Sequence, residues 1–311
     1  MHNSLAGNLS FLDISRAYLN MFKYRIDIMS MCRITFDNYL DVIYGLWKDK
    51  YPIKAIERNG SSITLRSFAE TCIHLFLRVH KEFKYDTEKD EIAIRNNGFG
   101  SEEGNTTTLL GSITNGDVIS VFLHGEYAEL PVQGRTVVDI GANIADSSIY
   151  FALRGATRVI SLEPFPHIFE LAKKNVYENG LSDKIYLVLA GSSGKLGSIR
   201  VSQNSVEKLI LRESSDGVRV PLLTIRSITE HYQVMPGSIL KVDCEGCEYD
   251  TILSCDDRDL VPFSHIQIEY HYGYKNLKEK LEKNDFVVSI TPPTKRRMMY
   301  TGMIYAKRKS Y

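Results

Sequence analysis

The chain lacks net charge: 38 basic residues face 38 acidic ones over 311 positions. That balance excludes a protein that coats nucleic acid or an anionic membrane through a global basic field. Long hydrophobic runs are missing too. No stretch of about 18 apolar residues occurs, and the best candidate, Ile34 to Trp47, is broken by Asp37, Asn38 and Asp41. Residues 1–12 show neither a basic start nor a continuous apolar segment, so no secretory signal is read there. Cysteine is sparse and odd in number, with Cys32, Cys72, Cys244, Cys247 and Cys255. Five thiols without an export signal fit a reducing compartment better than a disulfide framework, so a cytoplasmic location is expected. Neither an internal repeat nor a low-complexity tract is present. What remains is 43% hydrophobic and 24% charged, enough apolar material for one large domain or two moderate ones.

The first 80 or so residues read differently from the rest. Phe36, Leu40, Ile43 and Trp47 recur at helical spacing, as do Phe68, Cys72, Phe76 and Val79. Between them, Asn59-Gly60 amid alternating apolar residues predicts a hairpin over Ile53 to Leu65. The mixed-charge run at 81–91 reads as a surface turn and a boundary. It divides an N-terminal helical region with a hairpin, 1–83, from an α/β domain, 84–311, that opens with lead-in strands. Short strands are expected at Glu91–Arg95 and Asp117–Leu123, around a Gly/Asn/Ser/Thr-rich stretch from Asn96 to Asn115.

From Gln133 onward strands and helices alternate. Strands are expected at Thr136–Ile140, Arg158–Leu162, Lys184–Leu189, Ile239–Val242, Ile266–Ile268, Phe286–Ile290 and Met303–Lys307. Helices follow the first two and recur near Ile225–Tyr232, and residues 191–220 read as an irregular or hairpin insertion. This alternation predicts a doubly wound, mostly parallel sheet, in which ligands sit outside the carboxyl ends of the strands.

Those ends carry the chemistry. Asp139-Ile-Gly141-Ala-Asn143-Ile-Ala145-Asp146-Ser147 follows the first strand. A dinucleotide fingerprint needs glycine at 141, 143 and 146, and only the first is there. Asn143 tolerates a left-handed turn, but its side chain crowds the place of a pyrophosphate, and Asp146 repels one. An adenosine ligand without a pyrophosphate fits better, and S-adenosylmethionine is such a ligand. Glu163 follows Gly141 by 22 residues, close to the ~20 expected of an acid on ribose hydroxyls. Further on, Lys241, Asp243 and Glu245 alternate onto one face of their strand, as do Gln267, Glu269 and His271 on the next. Charges in such strands are costly unless they line a cleft. Lys241 also reads as half of a structural ion pair. Cys244-x-x-Cys247 has no second pair to make a zinc site. Thr291-Pro-Pro-Thr294 reads as a connection between strands, and Lys295-Arg296-Arg297 and Lys307-Arg308-Lys309 as solvated edge clusters.

The runs VVDIGANIADSSIYFALRGA (137–156), VISLEPFPHIFELAKKN (159–175), LKVDCEGCEYDTIL (240–253) and IEYH (268–271) together resemble the FkbM family of methyltransferases. The resemblance spans roughly 137–290, with Ala145 standing where the family often has glycine. It implies a Rossmann-like class I enzyme that uses S-adenosylmethionine, typically to methylate a hydroxyl on a sugar or other small natural product. It carries over Asp139, Gly141 and Asn143 to the cofactor turn, with Ser147 and Pro164 beside it, and Glu163 to the ribose. Asp243, Glu245 and Glu248 fall near the transferred methyl, Asp243 also contacting the cofactor and the last two facing substrate. The expected base is His271 oriented by Glu269, with Asp243 next in rank. A divalent cation on Asp243, Glu245, Glu269 and His271 is the less favoured version, and no metal ligand is assigned. An RNA methyltransferase and a non-catalytic S-adenosylmethionine-binding module are the competing readings, with nucleic acid disfavoured by the neutral charge. Residues 1–83 are left as a lid, an acceptor-binding wall or a homodimer interface.

Overall fold

A computed structural model of the chain describes residues 8–95, 106–111, 117–201, 217–296 and 299–311. Near its start, helix α1 (Phe11–Thr35) is set by a capping box. The Asp13 amide donates to Ser10 Oγ at 3.1 Å, and the Ser10 amide donates to the Asp13 carboxylate at 2.9 Å. This helix is absent from the sequence expectation. Its apolar residues run all round it, with Ala17, Ile28 and Cys32 buried while Phe11, Leu19 and Phe22 face outward, so no helical period stands out. Helix α2 (Tyr39–Lys48), the hairpin β1 (Ile53–Ile56) and β2 (Ser62–Leu65), and helix α3 (Phe68–Leu77) follow as predicted. Gly60 supplies the positive φ, +86°, of the hairpin turn. Ile28, Cys32, Phe36, Val42, Leu65 and Leu75 close these elements around a core of their own.

Next comes an antiparallel sheet of β3 (Phe83–Asp86), β4 (Glu91–Arg95) and β5 (Thr106–Leu110). The charged run at 81–91 therefore holds a strand as well as a turn. Part of the polar stretch after it is a strand too, because the side chains of buried Asn175 and half-buried Asn179 take up its backbone, accepting from the Leu110 and Thr108 amides at 2.8 and 3.0 Å. The rest of Asn96–Asn115, apart from Gly111, lies outside the described residues. The strand expected at Asp117–Leu123 is instead a wide helical turn at Ile119–Leu123. Val121 and Phe122 are its buried residues and Val118 is buried just before it, a helical spacing that overrides the β-preference of the sequence.

The remaining chain builds the large sheet and its cover. In order come β6 (Thr136–Ile140), α4 (Asp146–Leu153), β7 (Arg158–Glu163), α5 (Pro166–Glu178), β8 (Ile185–Leu189), β9 (Gly191–Ser192), β10 (Gly197–Val201) and β11 (Val218–Leu223). Then follow α6 (Ile225–His231), β12 (Ser238–Val242), α7 (Glu248–Leu253), β13 (Phe263–Tyr270), α8 (Lys275–Lys283), β14 (Phe286–Ile290), β15 (Thr294–Arg296) and β16 (Met299–Arg308). The sheet order is β14-β16-β13-β12-β6-β7-β8, with β16 antiparallel to both neighbours and the five strands from β13 to β8 parallel. This is the doubly wound α/β fold predicted. Strands β9, β10 and β11 form a small side sheet in the expected insertion, whose residues 202–216 lie outside the described set. Among the described residues, no helix is long and apolar enough to cross a membrane.

One row of this sheet is polar. Gln267, Lys241, Asp139 and Ser161 sit side by side in register on β13, β12, β6 and β7. Lys241 Nζ is 3.0 Å from Asp139 Oδ1 and donates to the Gly141 carbonyl at 2.7 Å. Asp139 Oδ2 accepts from Ser147 and Ser148 hydroxyls, both at 2.7 Å. The neighbouring residues Val242, Ile140, Leu162 and Ile268 face the opposite side and are fully apolar and buried. Beyond β12, Glu245 (φ +56°) and Gly246 (φ +117°) turn the chain back on itself. That fold brings Cys244 and Cys247 to a Cα separation of 5.5 Å, where they form a disulfide. The expectation of five free thiols thus holds only for Cys32, Cys72 and Cys255.

Asp139→Asn leaves the Lys241 charge buried without its partner, and should cost about 3–5 kcal/mol in urea unfolding. Asp139→Asn combined with Lys241→Met should recover most of that loss. Equal loss in both variants would show that the pair itself is not what the sheet depends on.

Candidate active site

The turn after β6 is left-handed at three alternate residues, Gly141 (φ +83°), Asn143 (φ +49°) and Ala145 (φ +67°). At Gly141 the requirement is absolute, since a Cβ there would meet the Asp243 carbonyl oxygen at 1.7 Å. The β6 turn and the end of β12 are thereby held in direct contact, and the Asp243 amide donates to the Ile140 carbonyl at 3.0 Å. The next strand end joins them. Glu163 accepts from the Asn143 amide at 3.0 Å and from the Phe165 amide at 2.8 Å.

Between these ends lies a cleft lined by Gly141, Asn143, Ser147, Glu163, Pro164, Asp243 and Glu245, all expected from sequence. Asp117, Val121, Tyr127, Asp146, Phe165, Lys241 and Cys244 complete the lining. Its enclosed free volume is about 70 Å³. Asp139, Glu248, Glu269 and His271 lie behind the lining. Asp139 is the buried partner of Lys241. Glu248, wholly buried, does not face the cleft but clamps two segments. One oxygen accepts from His271 Nδ1 at 2.9 Å and from the His271 amide at 3.2 Å, and the other from the Gly246 amide at 2.8 Å. The carboxylate that orients His271 is therefore Glu248, with Glu269 farther off at 3.9 Å and Glu245 at 3.3 Å from Nε2.

The charges follow from this packing. Burial alone pushes His271 down, but the bonded Glu248 carboxylate, with Glu269 and Glu245 nearby, drives it up to about 10. Burial likewise opposes ionisation of Asp243, yet Lys241 and His271 hold it below the usual carboxylate range. Glu269 goes the other way, raised by burial and by the Asp243 charge. Tyr127 donates to Asp243 Oδ2 at 3.2 Å. One ligand atom each of Asp243, Glu269 and His271 lies within 4.8 Å of the others. Two carboxyls and an imidazole suit a divalent cation, but a cation there competes with the proton that His271 holds. Burial raises Glu163 and Asp146 to about 7 each.

Residues 139–288 match the family described as the methyltransferase FkbM domain. The chain carries an FkbM methyltransferase domain. Solved structures similar to it include precorrin-6y C5,15-methyltransferase from Geobacter metallireducens, at 16% identity over 60% of this chain and 87% of that one, with a TM-score of 0.37. TrmK of M. capricolum, in complex with S-adenosyl-homocysteine, is 16% identical over 61% of this chain and 69% of that one, TM-score 0.39. A methyltransferase FkbM from Methylobacillus flagellatus is 14% identical over 60% of this chain and 47% of that one, TM-score 0.41. No curated protein matches the chain.

Within the FkbM domain and its lead-in, sequence reasoning missed Asp117, Glu126 and Tyr127. Glu126 receives Gln267 Nε2 on its backbone carbonyl at 2.8 Å, and its carboxyl is raised to about 8 by burial and by Asp243 and Asp117. These residues flank the wide helical turn, Asp117 before it and Glu126 and Tyr127 in the loop after it, where no period marks them. The only available signal was acidic residues beside a buried apolar run.

The protonation states have a measurable consequence. Asp146, Glu163 and Glu126 bind protons more tightly folded than unfolded, so their contribution to stability is complete below about pH 4. It is lost as pH rises through 7 to 8. The His271 contribution is complete below about pH 6.5 and is lost as pH passes about 10. Stability to urea should therefore fall from pH 5 to pH 9, with Glu163→Gln flattening the first part. A rise over that interval would contradict these assignments.

Proposed function

We infer that the chain is an S-adenosylmethionine-dependent O-methyltransferase acting on a hydroxyl of a small natural product. The observation that carries this reading is the cleft at the ends of β6, β7 and β12, which gathers Gly141, Asn143, Glu163, Asp243 and Glu245. The lining fits the cofactor chemically. Both Glu163 oxygens already accept backbone amides, and a carboxylate has further lone pairs for two ribose hydroxyls. Asp146 and Asp117 on the turn side disfavour a phosphate and suit a ligand of positive charge.

When bound, the cofactor supplies a methyl group made electrophilic by its sulfonium. The protein's part is to hold an acceptor hydroxyl in line and to take its proton. A protonated His271, buried behind the lining, is a donor and not a base at neutral pH. In this proposal Asp243 takes the proton, being ionised and in the cleft, while His271 and Lys241 fix its charge and Tyr127 fixes its orientation. Glu248 positions His271, and Glu245 contacts the acceptor. The weak basicity of Asp243 is sufficient because the hydroxyl becomes strongly acidic as its oxygen gains the methyl. The ranking of the two bases is thus the reverse of the one the sequence suggests.

Calorimetry with S-adenosylhomocysteine should show binding that Glu163→Ala weakens about tenfold or more. In turnover with a screened hydroxyl acceptor, Asp243→Asn should lower kcat by about a hundredfold or more, with cofactor affinity kept and no effect of a chelator. A folded wild type that does not bind S-adenosylhomocysteine would overturn the reading.

A further inference from the structure

A second cavity, of about 910 Å³, lies between α1, α2 and α3 on one side and the methyltransferase fold on the other. Its size is in the range of sites that enclose whole small molecules. Its helical side is mostly apolar, with Met21, Tyr24, Ile28, Met29, Trp47 and Phe68, and with Asn20, Arg25 and Asp49 as its polar members. Its inner end is polar. Asp117 lines this cavity and the cofactor cleft alike, so the two are neighbours across one residue. Arg296 also lines it, with a guanidinium nitrogen 3.9 Å from Glu269 and a side chain 64% exposed. Glu269 in turn adjoins Asp243 and His271. A chain of ionisable groups therefore leads from the cavity to the proposed base.

We propose that this cavity holds the methyl acceptor, and that the acceptor is an amphiphilic alcohol. Its hydroxyl end lies toward Asp117, Arg296 and Glu269, and its hydrocarbon or aromatic body lies against α1 and α2. The assignment rests on the methyl-transfer reading and narrows its substrate class. A bare sugar is less well matched, because most of that side, Met21, Ile28 and Phe68 included, offers its outer hydroxyls no partner, and only Asn20, Arg25 and Asp49 there do. An apolar body loses nothing there and gains from leaving water. Arg296 belongs to a basic cluster that the sequence suggests is merely solvated. In the fold it lines the cavity and reaches to 3.9 Å from Glu269.

The chain contains one tryptophan, Trp47, and it lines this cavity with Lys48 Nζ 4.4 Å from its ring centre. Its emission therefore reports occupancy. Titration of the full chain with n-alkanols from butanol to decanol should shift the emission to the blue. Affinity should rise about fourfold per added methylene until the cavity is filled. Octyl β-glucoside, kept below its micelle concentration, should bind at least tenfold tighter than methyl β-glucoside. Met29→Glu, at a partly exposed wall position, should weaken alkanol binding tenfold or more. Leu19→Glu, on the exposed surface of α1 outside the wall, should not.

A flat alkanol series, equal affinity for the two glucosides, or equal losses in both variants would overturn the proposal. So would Trp47 emission that shifts with protein concentration alone, since that places a second copy over the cavity. S-adenosylhomocysteine calorimetry on the same sample separates the two readings. Cofactor binding with no alkanol binding overturns the acceptor site and leaves the methyltransferase. Alkanol binding with no cofactor binding leaves an apolar ligand site and overturns its role as the acceptor pocket.

Discussion

A single buried ammonium organises the acidic end of this sheet. Lys241 is 2% exposed in its side chain and stands between Asp139 and Gly141, with Asp243 two residues on, just past the end of its own strand. Burial works against its charge, and the surrounding carboxylates more than offset that, holding its pKa above the ordinary lysine value. Through Asp139 the same charge reaches Ser147 and Ser148 at the start of α4. Through the Gly141 carbonyl it fixes the turn against which Asp243 rests. The ion pair that a cautious reading assigns to structure alone is thus what allows an ionised Asp243 to face a cleft crowded with other acids.

That crowding divides the acids into two kinds. Asp243 keeps its charge because two cations adjoin it, whereas Glu269, Glu163, Asp146 and Glu126 are pushed toward the neutral form by burial. The local field therefore comes from a few placed charges and not from the whole set. A cationic ligand would draw further ionisation from Glu163 and Asp146, so that the site adapts its charge to its occupant.

How much of this was legible depends on whether a residue sits where periodicity speaks. The ends of β6, β7, β12 and β13 were readable because charge in a strand buried on both faces has few explanations. The hairpin at Asn59-Gly60 was readable from turn chemistry. Helix α1 was not, since its apolar residues surround it and only the Ser10–Asp13 capping box marks its start. The pairing of His271 with Glu248 was not readable either, because it joins the end of β13 to the first turn of α7 across 23 residues. Gln267 and His271 share a face as expected, yet what each bonds is decided by neighbouring segments. The disulfide depends on the positive φ of Glu245 and Gly246, which composition and cysteine count do not reveal.

Strand β16 is inserted between β13 and β14, antiparallel to both. Among the described residues β14 has no other strand beside it, although it is made first. During synthesis, then, this flank of the sheet stays open after all the acidic strand ends have emerged, with the edge of β13 unpaired. Closure comes late, when β16 enters between two waiting neighbours. The order of manufacture leaves a nascent chain with the acid-bearing half of its sheet in place and an apolar edge that needs protection until β16 arrives.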